Sequence, residues 1–539
     1  MNFLQRRGFF RYEMRSGEKV LIHVENRILK AIDHTDVKDY VKNFCREIKR
    51  LDVLNMLMRG GPQYLGPEKL SNLDINRPPV ERATPEKQCL FFKDKIWEIT
   101  ADGIKELNYG QFTEYVWSEK VIKHNGKALA PMLDVSVMND EIRPKLGEGY
   151  DTISNGEFFI DYSEDALKSH FLQFLCNVSN FGWRKSSLTL EDQFLNSRHL
   201  INKLTAIGYM LHDYKDDNEL KAVIAVDGKL SKVGSSNGRS GKSLIGVALS
   251  QMIPQTIIDG KNKKLDDDNF RYHEVSEKIK NVFFDDVRAN FDFESLFQVI
   301  TGAMTVNQKS GLRFTLRKEE SPKIFVSTNH ALNGTGASFS DRQAYMVFYD
   351  FYNDDHKPVH DFGCAFFSEW DADQWNLFYN LMATCLVMYF RSKQNGWSGT
   401  KRLGIVPPPM DDVELRKLRQ TMGENFLTWA ESFFYWNDTN KTGNLNEQHV
   451  RKDLFDLFMN ENPIERKYCN AHRFKEKMLA YCHYKNFDFN PTKRNKNGLD
   501  IQQYYKSYPA GHFVGEDDKT GGKEYFTLAN KDFNTNIFK

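Results

Sequence analysis

Short apolar runs that end in polar residues recur through the middle of the chain. Residues 222–227 (A-V-I-A-V-D), 282–286 (V-F-F-D-D) and 323–329 (K-I-F-V-S-T-N) each have the pattern of a buried strand with a polar carboxyl end. Apolar residues recur at steps of three and four over residues 244–252, which predicts a helix, and residues 255–259 predict a further strand. Strands that alternate with helices are typical of a parallel sheet covered by helices, the α/β class.

A glycine-rich segment lies between the first of these strands and the helix. Residues 233–244 read V-G-S-S-N-G-R-S-G-K-S-L, which fits the end of the phosphate-binding signature G-x-x-x-x-G-K-[ST], with Ser236 in the first glycine position. In such a loop, backbone N–H groups and the lysine face phosphate oxygens, and the serine hydroxyl binds Mg²⁺. The residues predicted to contact a nucleotide are Asn237, Gly238, Arg239, Ser240, Gly241, Lys242, Ser243 and Leu244.

Polar residues at the ends of the next two strands supply candidates for catalysis. Ligands bind at the carboxyl ends of strands in open α/β sheets. We therefore expect Asp285 to join Ser243 as a Mg²⁺ ligand, and Asp286 to orient or deprotonate the attacking water. Asn329 is predicted to hydrogen-bond this water or the γ-phosphate. The alternatives are an exposed acidic turn for the aspartates and an ordinary turn residue for Asn329.

Residues 306–316 alternate around a Ser-Gly turn, which predicts a hairpin with Lys309 at its tip and Arg313 on the returning limb. A cationic tip is suited to gripping a nucleic-acid phosphate, and the alternative is a solvated surface hairpin.

Arg342, which precedes the apolar run 344–348, is a candidate arginine finger that crosses to a neighbouring subunit. An intramolecular pair with Asp341 or another carboxylate is the other interpretation.

The flanking regions carry weaker signals. Residues 1–165 alternate short strands with a helix near 37–51 and predict a small α+β accessory region, while residues 166–220 have helical spacing. Residues 166–220 form either a packed layer or a collar that carries subunit contacts.

Residues 411–539 combine helical patterns with a basic loop and late strands. This pattern suggests a winged-helix-like region, or a charged loop over a tyrosine-rich core. Its candidate DNA contacts are Lys493, Arg494 and Lys496, with Tyr504, Tyr505 or Tyr508 stacking on bases.

Composition limits the number of domains, the kind of nucleic-acid contact and the cellular environment that can be expected. The 539 residues predict several domains, and 74 Lys and Arg against 73 Asp and Glu leave a net charge of +1, so any contact with nucleic acid must come from local patches. Seven scattered cysteines without a CxxC indicate reduced thiols, and the Cys and His residues of 469–483 match no zinc spacing. The apolar run 377–390 is too short to span a bilayer, and no leader-like segment opens the sequence. We therefore expect a soluble protein.

The phosphate loop, the paired aspartates, the lysine-bearing hairpin and the strand ending in Thr-Asn occur in the order found in superfamily 3 helicases. The sequence resembles the helicase half of phage and plasmid primase-helicase proteins, most clearly over residues 222–350. The resemblance implies an AAA+-type P-loop ATPase core at 221–400 between a collar at 166–220 and the winged-helix-like region. It assigns Lys242, Ser243, Asp285 and Asp286 to the two Walker motifs, Lys309 to a pore hairpin, Asn329 to a sensor and Arg342 to the finger.

The resemblance also implies partners and a location. These are ATP and Mg²⁺ as cofactors, a ring that is usually hexameric, translocation on single-stranded DNA from 3′ to 5′, and the cytoplasm of a bacterial or infected host cell. Since no primase segment is evident, a separate primase or polymerase is expected. The sequence thus predicts an ATP-dependent DNA helicase that acts in replication of a phage or mobile element. A nucleotide-switched ring-forming structural or signalling ATPase is the alternative, and a small-molecule kinase is less favoured because it needs no cationic hairpin.

Overall fold

The structure is a computed structural model. It describes residues 1–143, 150, 153–217, 219–228, 240–262, 265, 268–288, 291–309, 311–330, 332, 337–401, 403–409, 418, 421–437, 442–445, 447–467, 469–489, 493–494, 500–501, 506–507 and 523–530. The described residues divide into two compact units, one within Met1–Lys229 and Gly238–Pro409, and one within Met410–Lys539. Within these ranges, no helix combines the length and apolar character needed to cross a membrane.

The first unit has an α/β architecture. Its strands are β1 (Phe9–Glu13), β2 (Lys19–Glu25), β3 (Ile28–Ile32), β4 (Gln88–Phe92), β5 (Ile96–Thr100), β6 (Gly103–Leu107), β7 (Val116–Trp117), β8 (Val121–Ile122), β9 (Leu133–Val137), β10 (Phe158–Tyr162), β11 (Ala222–Asp227), β12 (Gln255–Asp259), β13 (Asn281–Val287), β14 (Met304–Asn307), β15 (Arg313–Leu316), β16 (Lys323–Thr328) and β17 (Gln343–Phe348). Its helices are α1 (Asn2–Arg6), α2 (His34–Glu47), α3 (Leu51–Arg59), α4 (Gly61–Leu65), α5 (Pro67–Leu70), α6 (Glu164–Lys168), α7 (His170–Asn177), α8 (Leu190–Leu211), α9 (Lys242–Ser250), α10 (Phe297–Thr301), α11 (Ala337–Ser340), α12 (Pro358–Phe362) and α13 (Ala372–Asn395).

Five parallel strands form the central sheet, in the spatial order β12-β13-β16-β11-β17. The strands predicted at 222–227 and 255–259 and the helix predicted at 244–252 are confirmed, and the apolar run 344–348 lies in β17. In β11 and β16 every residue is buried, as expected for strands covered on both faces. Strand β16 lies between β11 and β13, so the strand before the glycine-rich loop and the strand with the paired aspartates flank the same neighbour.

The N-terminal region contributes two further four-stranded sheets, with the orders β1-β2-β3-β7 and β6-β5-β4-β8. Helix α2 confirms the predicted helix near residues 37–51. The second sheet is not a separate body, because Leu90 and Trp97 belong to the same hydrophobic core as Val223 of β11 and Leu381 of α13. Residues 1–165 thus contain both helices and strands, and part of this region packs directly onto the central unit.

Helices α8 and α13 pack against each other beside the sheet. Residues 199–211 of α8 and 377–390 of α13 are all buried, which explains why the apolar run of α13 is long without being a membrane span. The buried Lys323 at the start of β16 donates hydrogen bonds to the carbonyl oxygens of Tyr209 and His212, at 2.7 and 2.6 Å, and so ties the sheet to the end of α8. The buried half of α8 thus packs inside the subunit, and the collar at 166–220 stays a prediction.

Gly208 sets the close approach of these two helices. A Cβ atom at this position would overlap the carbonyl oxygen of Cys385 on α13 and lie 2.7 Å from its carbonyl carbon. We expect Gly208→Ala to lower the free energy of unfolding of this unit by about 2 kcal/mol, because the overlap outweighs the higher helix propensity of alanine. Denaturant midpoints measure the change, with Gly110→Ala as the control, since no atom lies within 4 Å of a Cβ there. Equal midpoints for the two variants would contradict the expectation.

The second unit contains helices α14 (Glu424–Phe433), α15 (Arg451–Glu461) and α16 (Ala471–Lys485), and strands β18 (Trp436–Asn437), β19 (Thr442–Gly443), β20 (Gln448–Val450), β21 (Phe487–Phe489), β22 (Lys493–Arg494), β23 (Asp500–Ile501), β24 (Lys506–Ser507) and β25 (Lys523–Asn530). Strand β25 pairs antiparallel with β20, β21 and β24. An aromatic core that includes Phe426, Phe458 and Phe474 joins its three helices. The helices predicted for this part of the chain are confirmed.

Candidate active site at the carboxyl edge of the sheet

Three adjacent strands bring the candidate residues to one edge of the sheet. Asp227 ends β11, Thr328 and then Asn329 end β16, and Asp285 and Asp286 lie near the end of β13. Because the strands are parallel neighbours, their carboxyl ends meet. The sequence patterns that predicted each strand separately therefore describe one continuous site.

The described part of the glycine-rich loop turns directly into α9, which begins at Lys242. Gly241 has a φ of +96°, a conformation that glycine adopts without strain. A Cβ atom there would also lie 2.6 Å from the ring of Phe174 on α7. The N-terminus of α9 thus lies at the carboxyl edge of the sheet, where the positive end of a helix favours phosphate binding. Asn237, Gly238, Arg239 and Ser236 lie outside the described residues, so their predicted contacts stay predictions.

Ser243 and Asp285, the two predicted Mg²⁺ ligands, are in direct contact. The Ser243 hydroxyl on α9 donates a hydrogen bond of 2.6 Å to Oδ1 of Asp285. The same carboxylate oxygen accepts a second hydrogen bond, of 2.7 Å, from Ser327 Oγ on β16. Ser327 also accepts a hydrogen bond from the backbone N–H of Asp286 at 2.7 Å. One buried hydroxyl therefore fixes both the side chain of the first aspartate and the backbone of the second.

Asp285 and Asp286 lie near the carboxyl end of their strand, as expected. Strand β13 continues one residue further, to Val287, and its pairing with β16 is interrupted between Phe284 and Val287. Asp286 has a φ of +54° at this irregularity, in the left-handed region that few non-glycine residues adopt. Asp285 contacts Ser243 and Ser327, whereas Asp286 contacts Asn329 and Lys261, so the two acids can serve different purposes.

Two groups bracket the Asp286 carboxylate. The amide of Asn329 donates a hydrogen bond of 3.4 Å to Oδ1, and Lys261 forms an ion pair of 2.5 Å with Oδ2. The hydrogen bond to Asp286 and the attraction of its charge raise the pKa of Lys261. Gly260 permits this approach, because a Cβ atom there would lie 2.6 Å from the carbonyl oxygen of Asp285. Asn329, predicted as a contact of water or phosphate, thus lies beside the predicted base.

Lys242 is not directed at open solvent. Its ammonium group forms an ion pair with Asp227, and 7% of the Lys242 side chain and 6% of the Asp227 side chain are exposed. The hydroxyl of Ser240 donates to the same carboxylate oxygen, and Lys242 Nζ donates to Ser240 Oγ at 3.0 Å. A nucleotide that bound here would have to take this ammonium group from Asp227.

The donor set at this edge fits a magnesium–nucleotide complex better than a metal held by protein alone. Ser243 and Asp285 supply one hydroxyl and one carboxylate, and no group of three or more His, Cys, Asp or Glu side chains in the described residues is arranged to hold a metal. Mg²⁺ typically binds through one or two carboxylates, waters and the phosphates of its nucleotide. The residues at this edge match that pattern.

Sequence reasoning missed three residues of this site. Asp227 was taken only as a strand end, Lys261 as part of a charged connection, and Ser327 as the residue before the polar end of β16. Each contributes through a contact between elements that are distant in the chain. The one available signal was that Asp227 and Ser327 lie at the carboxyl ends of predicted strands and that Lys261 follows another by two residues.

The predicted hairpin is confirmed. Strands β14 and β15 pair antiparallel, with Asn307 opposite Arg313. Gly311 closes the turn with a φ of +88° and donates a hydrogen bond of 3.0 Å from its backbone to the carbonyl oxygen of Gln308. The side chains of Lys309 and Arg313 are exposed. One face of the hairpin is apolar and buried, and this packing fixes its base. Its cationic tip is exposed.

A cluster of charges ties the hairpin base to the N-terminal region. Glu320 accepts hydrogen bonds of 2.9 Å from Arg15 Nε, after β1, and from Arg317 Nη2, after β15. Burial raises the pKa of Glu320, but the hydrogen bonds from Arg317 and Arg15 outweigh this and hold the pKa below its usual value. The first 165 residues therefore contact the segment that follows the candidate DNA-gripping hairpin.

Arg342 lies at the opposite edge of the sheet from the Ser243–Asp285 pair. It precedes β17, and its carbonyl oxygen accepts a hydrogen bond from Ala222 N at the start of β11. Six residues of strand, about 20 Å, separate this edge from the loop. Arg342 Nη1 donates to the Ser338 carbonyl oxygen at 2.6 Å, and the guanidinium lies 4.7 Å from the ring centre of Phe297. Its predicted pairing with a carboxylate is not seen among the described residues, and the finger stays a prediction.

The candidate DNA contacts of the second unit are only partly described. Lys493 and Arg494 were predicted in a basic loop, but they form β22, which pairs antiparallel with β23. Their role in DNA binding stays a prediction. Lys496 and the three tyrosines at 504, 505 and 508 lie outside the described residues.

Comparison with known proteins gives matches among solved structures. No family model and no curated protein matches the sequence. Among solved structures, the apo A form of the NrS-1 C-terminal region is similar at 12% identity and a TM-score of 0.26, covering 77% of this chain and 88% of that one. JCV helicase bound to a thiazolopyridine acetamide is similar at 13% identity and a TM-score of 0.23, covering 46% and 64%. TM-scores this low do not establish a common fold, and the proposals below rest on the geometry of this chain.

Proposed function

We propose that this protein is an ATP-driven DNA helicase whose hydrolytic site is the carboxyl edge of the central sheet. The observation that carries the proposal is the contact of Ser243 with Asp285, 2.6 Å apart, next to the lysine of the phosphate loop. Lys242 and the N-terminus of α9 would bind phosphates, and Ser243 and Asp285 would hold Mg²⁺, which supplies charge neutralisation at the transferred phosphate. Asp286, bracketed by Asn329 and Lys261, would orient the attacking water.

Strand β16 supports a link between hydrolysis and DNA movement. Its carboxyl end supplies Ser327, which holds both aspartates, and its amino end follows the hairpin and the Glu320 cluster. A buried strand of six residues is a stiff connection between the two places. A change in the contacts of Asp285 or Asp286 on hydrolysis would therefore reach the base of the Lys309 hairpin through one element.

The position of Arg342 favours action between subunits over action within one. It is about 20 Å from the phosphate loop of its own chain, so it can reach a nucleotide only across an interface. A closed homo-oligomeric ring, proposed here as a hexamer, would place Arg342 of one subunit near Lys242 of the next. Its contacts with Ser338 and Phe297 would have to open for this.

The order of elements in the second unit supports a winged-helix-like DNA guide. Helix α14, strand β20, helices α15 and α16 and strand β21 are followed by β25, which pairs with both earlier strands. Lys493 and Arg494, on β22 between β21 and β25, are proposed DNA contacts of this guide, together with Lys496. Phosphate contacts from these residues would orient DNA without reading its sequence.

A fork-unwinding assay tests the function directly. The wild-type protein is incubated with ATP and Mg²⁺ and with forked DNA that carries either a 3′ or a 5′ single-stranded tail. We expect strand separation that depends on hydrolysis, with the 3′ tail preferred. Robust ATP hydrolysis without separation of either fork would instead support the nucleotide-switched ring-forming ATPase.

Ser327→Ala tests whether the two aspartates are positioned through one hydroxyl. The variant removes the hydrogen bonds of Ser327 to Asp285 Oδ1 and Asp286 N, while leaving both acids in place. We expect kcat for ATP hydrolysis to fall about 10- to 100-fold, as is typical for the loss of an outer-shell partner of a metal ligand. KM for ATP should change less. Wild-type kcat would show that the hydroxyl does not position the acids.

A further inference from the structure

Asp227, the buried ion-pair partner of Lys242, has no role in the proposed reaction. Asp227 Oδ1 accepts hydrogen bonds from Lys242 Nζ and from Ser240 Oγ. Both members of the ion pair are more than nine-tenths buried, so water screens the pair weakly. Asp227 also sits where β11 leaves the sheet core, which limits its freedom to move away. The structure therefore holds the phosphate-binding lysine on a fixed carboxylate.

Such a contact opposes nucleotide binding. A buried charge that loses its partner is strongly destabilised, so Lys242 leaves Asp227 only if another anion replaces it. The phosphates of a nucleotide are that anion, but their attraction is reduced by the cost of breaking the existing pair. Asp227, left without its lysine, keeps the Ser240 hydroxyl as a donor.

We propose that Asp227 is a positioning residue that competes with nucleotide phosphates for Lys242, lowering nucleotide affinity and speeding product release. The inference rests on the proposed function, because it requires Lys242 to bind a nucleotide. In the nucleotide-free subunit, Asp227 keeps Lys242 beside Ser240. A bound triphosphate takes the ammonium group, and once the terminal phosphate has left, the diphosphate holds it less strongly and the pair with Asp227 re-forms.

The proposed role falls on Asp227, a residue outside the phosphate-binding signature. The signature begins at position 236, whereas Asp227 lies at the end of the preceding strand. Asp259 occupies the same place at the end of the neighbouring strand β12, but it is exposed. It is therefore a matched control that has the same residue type and strand position and lacks the buried cation.

Asp227→Asn tests the competition, since it keeps the shape of the side chain and removes its charge. The dissociation constant of a fluorescent ATP analogue is measured by equilibrium titration with Mg²⁺, and the release of fluorescent ADP by stopped flow. We expect at least a tenfold lower dissociation constant for Asp227→Asn, which corresponds to about 1.4 kcal/mol, together with slower ADP release. KM for ATP should fall while kcat does not rise. Asp259→Asn should bind as the wild-type protein does.

Each outcome of this experiment is decisive. If the wild-type protein binds the analogue and Asp227→Asn binds it with equal or lower affinity, the competition is refuted while the nucleotide site stands. If the wild-type protein does not bind, the proposed function itself fails. Should Asp227→Asn not fold, Asp227→Ser also removes the carboxylate and should lower the dissociation constant about tenfold. Unchanged or weaker binding by that variant would overturn the proposal.

Discussion

Asp286→Asn is expected to bind Mg²⁺–ATP but to hydrolyse it about 10²- to 10⁴-fold more slowly than the wild-type protein. The substitution keeps the hydrogen bond from Asn329 sterically possible but removes the carboxylate that would orient or deprotonate the water. Asparagine tolerates the left-handed backbone that Asp286 adopts at φ +54°, so the bulge in β13 should survive. Ser243 and Asp285, which would hold Mg²⁺, are unchanged.

Single-turnover hydrolysis and equilibrium nucleotide binding separate the two effects of this variant. The rate should fall, and the dissociation constant of the ATP analogue should stay within about threefold of that of the wild-type protein, since binding and chemistry use different groups. Asp161→Asn, at an exposed position of β10, serves as the control and should keep the wild-type rate. An Asp286→Asn variant that hydrolyses ATP normally would remove Asp286 from the reaction.

Lys309→Ala is expected to abolish unwinding and the stimulation of hydrolysis by single-stranded DNA, while nucleotide binding is retained. Lys309 is exposed at the tip of a hairpin whose base is buried and tied to Arg15 through Glu320. In a ring, each subunit would present one such lysine, so the substitution removes a cation from every subunit at once. Each lost phosphate contact also lowers the salt dependence of DNA binding.

Rates of ATP hydrolysis with and without single-stranded DNA measure the effect of Lys309→Ala. Basal hydrolysis should match that of the wild-type protein, and added DNA should no longer raise it. Lys30→Ala removes an exposed lysine from a different hairpin, formed by β2 and β3, and should retain stimulation. Arg313→Ala, on the same hairpin as Lys309, should give a partial loss. Normal unwinding by Lys309→Ala would exclude the hairpin from the mechanism.

The strands of the central sheet were predictable because their patterns are local. Residues 222–227 are nearly all apolar and bounded by polar residues, and β11 has those bounds. The hairpin followed from alternation around a glycine, which reports on a short stretch of chain. Placing polar residues at carboxyl ends of parallel strands then brought Asp285 and Asn329 to the edge where the glycine-rich loop leads into the helix that carries Ser243.

Contacts between segments that are distant in the chain could not be predicted from the sequence pattern. The position of Asp286 depends on Ser327, 41 residues later, and no periodicity relates the two. Likewise, the pair of Asp227 with Lys242 joins a strand end to a helix start across the glycine-rich loop. Helices α8 and α13 meet at Gly208 only because the whole unit folds around them. These contacts come from tertiary packing, which a single sequence does not display.

The most direct test of the account is Mg²⁺-dependent binding of a fluorescent ATP analogue to the wild-type protein and to Lys242→Ala. The carboxyl edge of the sheet, with Lys242, Ser243 and Asp285, is predicted to bind the analogue saturably in Mg²⁺. Chelation of Mg²⁺ should weaken this binding, and Lys242→Ala should lose it. Absence of binding by the wild-type protein, or equal binding by Lys242→Ala, would contradict the assignment of this edge as the nucleotide site.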